Sequence, residues 1–527
     1  MPRRGAVHRR RARGLILAAL VPVLIAGCTA GPSTRPPVVE DDGAASPARQ
    51  PATPGAPATP QPAPLPGLSE ARDSLNWSDC TGETRQRLGP PALPGALRFS
   101  CARLTTSLDA PDLPQRGITR IAVLKVGEGP VPLAVVNDVD GEPGTLYAAR
   151  LAAELPDELL DTFTLVGMDR RGTGQSDPAR CIPDDVRRAL LGSDPAGDIT
   201  SVLDAARMAG QQCAISLEDE QGAFDSWRAA GDLDQLREQL GVPHLNALAH
   251  GEGSRVLAAY AVRYPARVGR AVLDGVPDPS ADPVTVLDGV AGGAEATLKA
   301  FGEDCARREC PLGTDATSAV TALTERLRRS PLTTGDGLRL GPALALRAVL
   351  EGLARRDRWP ELAEAIAAAG NGRGEPLAEF VTPLLTGDRL DPARLDGGLA
   401  TRCNDTRARL PADRLGRASA ELGGKHPVFG ALLAQRLAWC SPWPSHSEPE
   451  PPPGAPGAPP ILVLSTAADP VTPEQGTIRA AERMPSAVRV AWEGAGHGAL
   501  SSSCVREKVT GFLVEGKVPR DGMLCPA

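Results

Sequence analysis

Short β-branched runs at 118–126, 131–136, 164–168, 245–249 and 270–273, each bounded by Gly, Pro or Asp, alternate with helical patterns at 147–155, 232–240 and 254–263. Strands this apolar belong inside a sheet covered on both faces, and strand–helix alternation makes that sheet parallel. The pattern changes at 282. From there to 446 Ala, Leu, Arg and Glu dominate, with helical stretches at 316–328 and 342–354, and strands return only at 461–465 and 488–492. The expected fold class is therefore α/β: a mostly parallel sheet with helices on both faces, an inserted helical cap, and a sheet completed near the C-terminus.

The N-terminal segment reads as an export signal. Arg3, Arg4, Arg9, Arg10, Arg11 and Arg13 precede an apolar run at 15–25, which is shorter than the roughly 20 residues that span a bilayer. The following Ile25-Ala26-Gly27-Cys28 resembles the bacterial lipobox, which implies cleavage before Cys28 and lipid attachment to its thiol. Pro, Ala, Gly, Thr and Ser then dominate, a composition that cannot bury enough surface to order itself. The expected layout is a signal peptide at 1–27, a lipid-anchored linker at 28–70, a sheet core at 71–281, a cap at 282–446, a Pro-rich linker at 447–460 and the rest of the core at 461–527. Such a chain is held at the extracytoplasmic face of the cell membrane. Its net charge of −7, with basic residues scattered, gives no footprint for nucleic acid.

Ten cysteines follow Cys28, and an even number outside the cytoplasm suggests disulfides. They fall in successive pairs, so sequential pairing is the simplest connectivity: Cys80–Cys101, Cys181–Cys213, Cys305–Cys310, Cys403–Cys440 and Cys504–Cys525. No CxxC occurs and histidines do not flank the cysteines, so neither a metal nor a cofactor is expected.

Two late motifs carry catalytic residue types. Asp469, in Asp469-Pro470-Val471-Thr472-Pro473, follows one expected strand, and His497, in Gly494-Ala495-Gly496-His497-Gly498, follows the next. Loops at the carboxyl ends of parallel strands build sites in such sheets. An Asp and then a His form the orienter and general-base half of a triad in the order of an α/β hydrolase. The nucleophile elbow of that fold belongs between the strand at 245–249 and the helix at 254–263. There the chain reads Ala249-His250-Gly251-Glu252-Gly253-Ser254. The small flanking residues of an elbow are present as Ala249 and Gly253, but the central residue is Gly251, with no side chain to react.

Beyond these motifs, Asp169-Arg170-Arg171-Gly172-Thr173-Gly174-Gln175-Ser176, Tyr260-Ala261-Val262-Arg263-Tyr264-Pro265 and Val272-Leu273-Asp274-Gly275-Val276 occur in order. Together with the paired cysteines, they make the body from Trp77 to Cys525 resemble the secreted tripeptidyl aminopeptidase family, α/β-hydrolase serine exopeptidases related to prolyl iminopeptidases. The resemblance implies that Asp469 and His497 hold the acid and base positions. The family's spacing back from Tyr260 places the nucleophile position on Gly251. A Gly-Gly-Pro-Gly oxyanion loop is also expected, yet the corresponding segment is Asn137-Asp138-Val139-Asp140-Gly141-Glu142-Pro143-Gly144. Its acidic side chains oppose an oxyanion.

Other groups near the elbow could replace the nucleophile. Ser254 falls in the first turn of the following helix, and Glu252 follows the elbow, where the backbone N–H rather than the side chain normally acts. His250, Glu252, Asp469 and His497 are residue types that suit zinc, but nothing in the sequence aims them at one point. A water activated by the His497–Asp469 pair is the remaining catalytic alternative. The reading preferred is a catalytically impaired pseudo-peptidase that binds peptides or a protein partner, with an active hydrolase as the alternative.

Overall fold

The computed structural model describes residues 62–527 apart from 90–92, 112, 314, 407 and 445–450. The expected signal peptide, Cys28 and most of the expected linker lie outside the described residues. Twelve strands are numbered in chain order: β1 Ser78–Asp79, β2 Phe99–Ser107, β3 Ile118–Val126, β4 Val131–Val136, β5 Phe163–Met168, β6 Leu245–His250, β7 Val268–Asp274, β8 Leu332–Thr333, β9 Arg339–Leu340, β10 Ile461–Ala468, β11 Ala487–Ala495 and β12 Met523–Cys525. All but the β8–β9 hairpin form one sheet in the order β1-β2-β3-β5-β4-β6-β7-β10-β11-β12. From β5 through β12 neighbouring strands run parallel, while β1, β2 and β3 are antiparallel additions at one edge. This is the α/β-hydrolase fold.

Burial explains the strand composition. Every residue of β4 and β7 is buried, so neither strand alternates apolar with polar; only Arg270 and Asp274 of β7 carry charge. One apolar layer packs Val136, Ala249, Val256, Tyr260 and Leu273 together. The other packs Val135, Leu248, Val272, Leu464 and Phe512.

The cap draws on both sides of β6. Helices Asp184–Gly192 and Ile199–Leu217 precede that strand, yet Leu190, Ala206 and Cys213 share one apolar cluster with Phe301, Leu353, Trp359 and Leu433. The cap is thus larger than the 282–446 segment. Asp396, in helix Arg394–Asp405, ties the two parts together: it pairs with Arg187 at 3.0 Å and accepts from the N–H groups of Cys181 and Ile182 at 2.8 and 2.9 Å. The five disulfides are the sequential pairs.

Two expected linkers are corrected in part. Leu65 and Leu68 pack on the sheet's apolar layer, so the final residues of 28–70 lie along the body. In the 447–460 segment Ala455 and Ala458 are buried in the opposite layer. Both runs have the composition of a tether, but their few apolar side chains reach a finished core.

Candidate functional site

Five strand ends meet at the carboxyl edge of the sheet. Asp138 lies two residues beyond β4, His250 ends β6, Asp274 ends β7, Asp469 follows β10 and His497 follows β11. Gly251 forms the turn from β6 into helix Gly253–Arg263, with φ of 58°. That left-handed turn is the elbow at which an α/β hydrolase displays its nucleophile, and here its apex has no side chain. Gly253 permits the tight entry to the helix, since a Cβ there would lie 2.6 Å from the Val136 carbonyl oxygen.

His497 Nδ1 lies 3.0 Å from both Asp469 carboxylate oxygens. Asp469 also accepts from the N–H groups of Val471, Thr472 and Gly498 at 2.8, 2.8 and 3.0 Å. The orienting pair expected from the sequence is therefore assembled and rigidly held. Its far side is occupied: Asp138 Oδ2 sits 2.9 Å from His497 Nε2, and Asp138 Oδ1 accepts from the Glu252 N–H at 2.6 Å. The N–H after the elbow is the donor that serves an oxyanion in this fold. One carboxylate thus contacts both His497 Nε2 and the N–H that follows the elbow.

The acidic loop does not act as a block. Asp140 pairs with Arg402, and Glu142 pairs with Arg150 at 3.1 Å. Only Asp138 enters the site. Glu252 turns its side chain to Arg402 at 3.4 Å, and Ser254 is buried with Oγ donating to the Ala249 carbonyl at 3.3 Å. Neither is presented at the elbow. The quartet of His250, Glu252, Asp469 and His497 does not converge either, because Glu252 points away and Asp469 lies behind His497.

Burial alone would raise the Asp138 carboxyl, but the charges of His497 and His250 and the bonds from His497 and Glu252 hold it well below the usual carboxylate range. Burial alone would lower the His497 imidazole, but Asp469 and Asp138 hold it well above its ordinary value. The His497 nitrogen that would take a proton from a water is thus already engaged by the Asp138 carboxylate.

One pairing escaped the sequence reading. His250 Nδ1 lies 3.1 Å from Asp274 Oδ2, and Asp274 is held by the Ala499 N–H at 2.7 Å. The β6–β7 register makes His250 and Asp274 direct neighbours. The segment 169–176 serves the scaffold instead: Asp169 accepts from the N–H groups of Thr145 and Gln175 at 2.8 Å each, and Arg171 forms a buried pair with Asp232 at 2.7 Å.

The TAP-like protein family matches residues 426–525, the segment that carries Asp469 and His497. The chain has the α/β-hydrolase fold and, over that segment, the signature of this family. Over 481 residues it is 26% identical to Serine protease Hip1 of Mycobacterium tuberculosis, covering 86% of this chain and 91% of the relative. Carboxylesterase B of the same organism is 27% identical over 488 residues, covering 87% of this chain and 91% of the relative. Tripeptidyl aminopeptidase of Streptomyces lividans is 24% identical over 482 residues, covering 86% of this chain and 87% of the relative.

Proposed function

We propose that this chain is an exported lipoprotein of the tripeptidyl aminopeptidase type that has given up serine chemistry and binds peptides or a protein partner in its cleft. One observation carries the reading. The Asp138 carboxylate lies between the Glu252 N–H and His497 Nε2, which is where the reacting oxygen and its proton acceptor would have to meet. Removing the nucleophile of a triad enzyme costs about six orders of magnitude in kcat, and a carboxylate in the oxyanion site opposes what remains. The water-activation alternative is weakened because the His497 nitrogen that would take the proton is already engaged by Asp138.

The cleft remains suited to a ligand. A cavity of about 190 Å³ beside the elbow is lined by Val139, Val276 and Leu287 and by Arg170, Arg402 and Arg436. The buried Nε atoms of Arg170 and Arg436 have no hydrogen-bond partner among the described residues. Apolar walls with guanidinium groups suit peptides that carry a carboxylate, and two relatives are named as a serine protease and a tripeptidyl aminopeptidase. The test is a fluorophosphonate probe and a panel of short unblocked peptides on purified tagless protein. The expected result is no labelling and no turnover above His497→Ala, with saturable peptide binding. Stoichiometric labelling of Ser254 that disappears in His497→Ala would overturn the reading.

A further inference from the structure

Three ligand-type atoms converge at the floor of the cleft. Asp138 Oδ2 lies 2.9 Å from His497 Nε2 and 3.8 Å from His250 Nε2, and one ligand atom from each of these residues falls within 4.8 Å of the others. Tetrahedral zinc with bonds of about 2.0–2.1 Å sets its ligand atoms about 3.3 Å apart. Small shifts of the three side chains satisfy that geometry. Their side chains are 16%, 14% and 7% exposed for Asp138, His250 and His497, so an ion can reach them.

The surroundings match a metal centre more closely than the three atoms alone. Each histidine turns Nδ1 to its own buried carboxylate, His250 to Asp274 at 3.1 Å and His497 to Asp469 at 3.0 Å. Metal-bound histidines almost always have such a partner, which fixes the tautomer and aims the other nitrogen at the ion. Tyr147 stacks on the His250 ring at 5.4 Å between centroids and limits its rotation. Both Nε2 atoms are thereby directed at a third carboxylate. Three carboxylates thus surround two imidazoles. A Cβ at Gly251 would collide with Asp138 Oδ1 and His497 Nε2; the bare elbow is what allows the three groups to meet.

We infer that Asp138, His250 and His497 form a binding site for one divalent transition-metal ion of the zinc class, oriented by Asp274 and Asp469. Two imidazoles and one carboxylate are a donor set typical of zinc, with a fourth position left for water or a ligand group. The site is independent of whether peptides are bound or cleaved.

The experiment titrates chelator-treated, metal-free folded protein with Zn²⁺ in competition with a chromophoric chelator, and records the Co²⁺ spectrum of the same preparation. One equivalent should bind, with Kd of about 1 μM or lower, and Co²⁺ should give the intense visible bands of tetrahedral coordination. Asp138→Asn and His250→Gln should each weaken binding by more than about 100-fold, and Asp274→Asn by about 10–100-fold. Asp521→Asn, whose carboxylate pairs with Arg489 at 3.2 Å away from the site, should leave affinity unchanged. No stoichiometric uptake by folded wild-type protein, an octahedral Co²⁺ spectrum, or unchanged affinity in Asp138→Asn would each overturn the site. The wild-type spectrum decides the matter even where a variant fails to fold. Peptide cleavage by the zinc-loaded protein would overturn the non-catalytic reading and leave the metal site standing; a metal-free ion pair would do the reverse.

Discussion

A serine at position 251 would bring its Cβ against the Asp138 carboxylate and the His497 ring, at a backbone φ of 58° that side chains rarely adopt. Restoring a hydroxyl to the elbow therefore strains the turn before it offers any chemistry. Gly251→Ser should lose about 1–3 kcal/mol of stability in urea unfolding and show no peptide turnover. Asp138→Gly in the same chain removes the colliding carboxylate and frees both the Glu252 N–H and His497 Nε2. The double variant should recover part of the lost stability. Turnover on unblocked tripeptides that appears only in the double variant would show that elbow and oxyanion loop diverged separately; full turnover from Gly251→Ser alone would contradict the proposed role of Asp138.

The helix Pro342–Ala354 carries Glu351 toward the site. Burial raises that carboxyl to about 7, helped by the charges of Asp140 and Asp138 and opposed by Arg436 and Arg394. A carboxyl whose folded pKa exceeds its unfolded value of about 4.3 withdraws stability as pH rises between the two values, roughly 1.4 kcal/mol for each unit of difference. Wild-type protein should therefore lose stability from pH ~4.3 to ~7 relative to Glu351→Gln, and the difference should level off above pH ~7. Asp396 makes a second prediction for the cap. Asp396→Ala leaves Arg187 with only the exposed Asp184 and two carbonyls as partners and two buried N–H groups unpaired, and should cost about 3–5 kcal/mol by denaturant unfolding, with loss of the joint between the two cap segments. The strands that enclose this site were legible because burial on both faces leaves short, largely apolar runs rich in Val, Leu and Ala, as at 131–136 in β4 and 271–273 in β7. β2 was not, since its burial is mixed along the strand. Helices Asp184–Gly192 and Ile199–Leu217 gave no sign in sequence of which later helices their apolar faces meet. Asp469 and His497 could be found because each follows its own strand. The Asp138–His250–Asp274 convergence needed the register that pairs Val136 with Ala249 and His250 with Asp274, and sequence does not state register.

At the scale of the molecule, five disulfides are the equipment of a protein that folds in an oxidising compartment. Among the described residues no helix is long and apolar enough to cross a membrane, and the membrane attachment proposed here is a lipid. Cys28, after an apolar run of signal-peptide length, is the proposed point of that attachment. The energetics make the proposal sharp. Each buried methylene contributes about 0.8 kcal/mol, one acyl chain alone binds reversibly, and two or more chains on one terminus hold a protein firmly. The folded body has a net negative composition and no basic stripe to hold it to an anionic leaflet in their place. Cys28→Ala should therefore move the protein from the membrane fraction to the soluble extracytoplasmic fraction, or leave it unprocessed with its signal segment attached. Mass spectrometry of the wild-type N-terminus should find the lipid on Cys28. A Cys28→Ala protein that is processed normally and still sediments with membranes would mean that the body itself holds the envelope, and that the anchor has been assigned to the wrong residue.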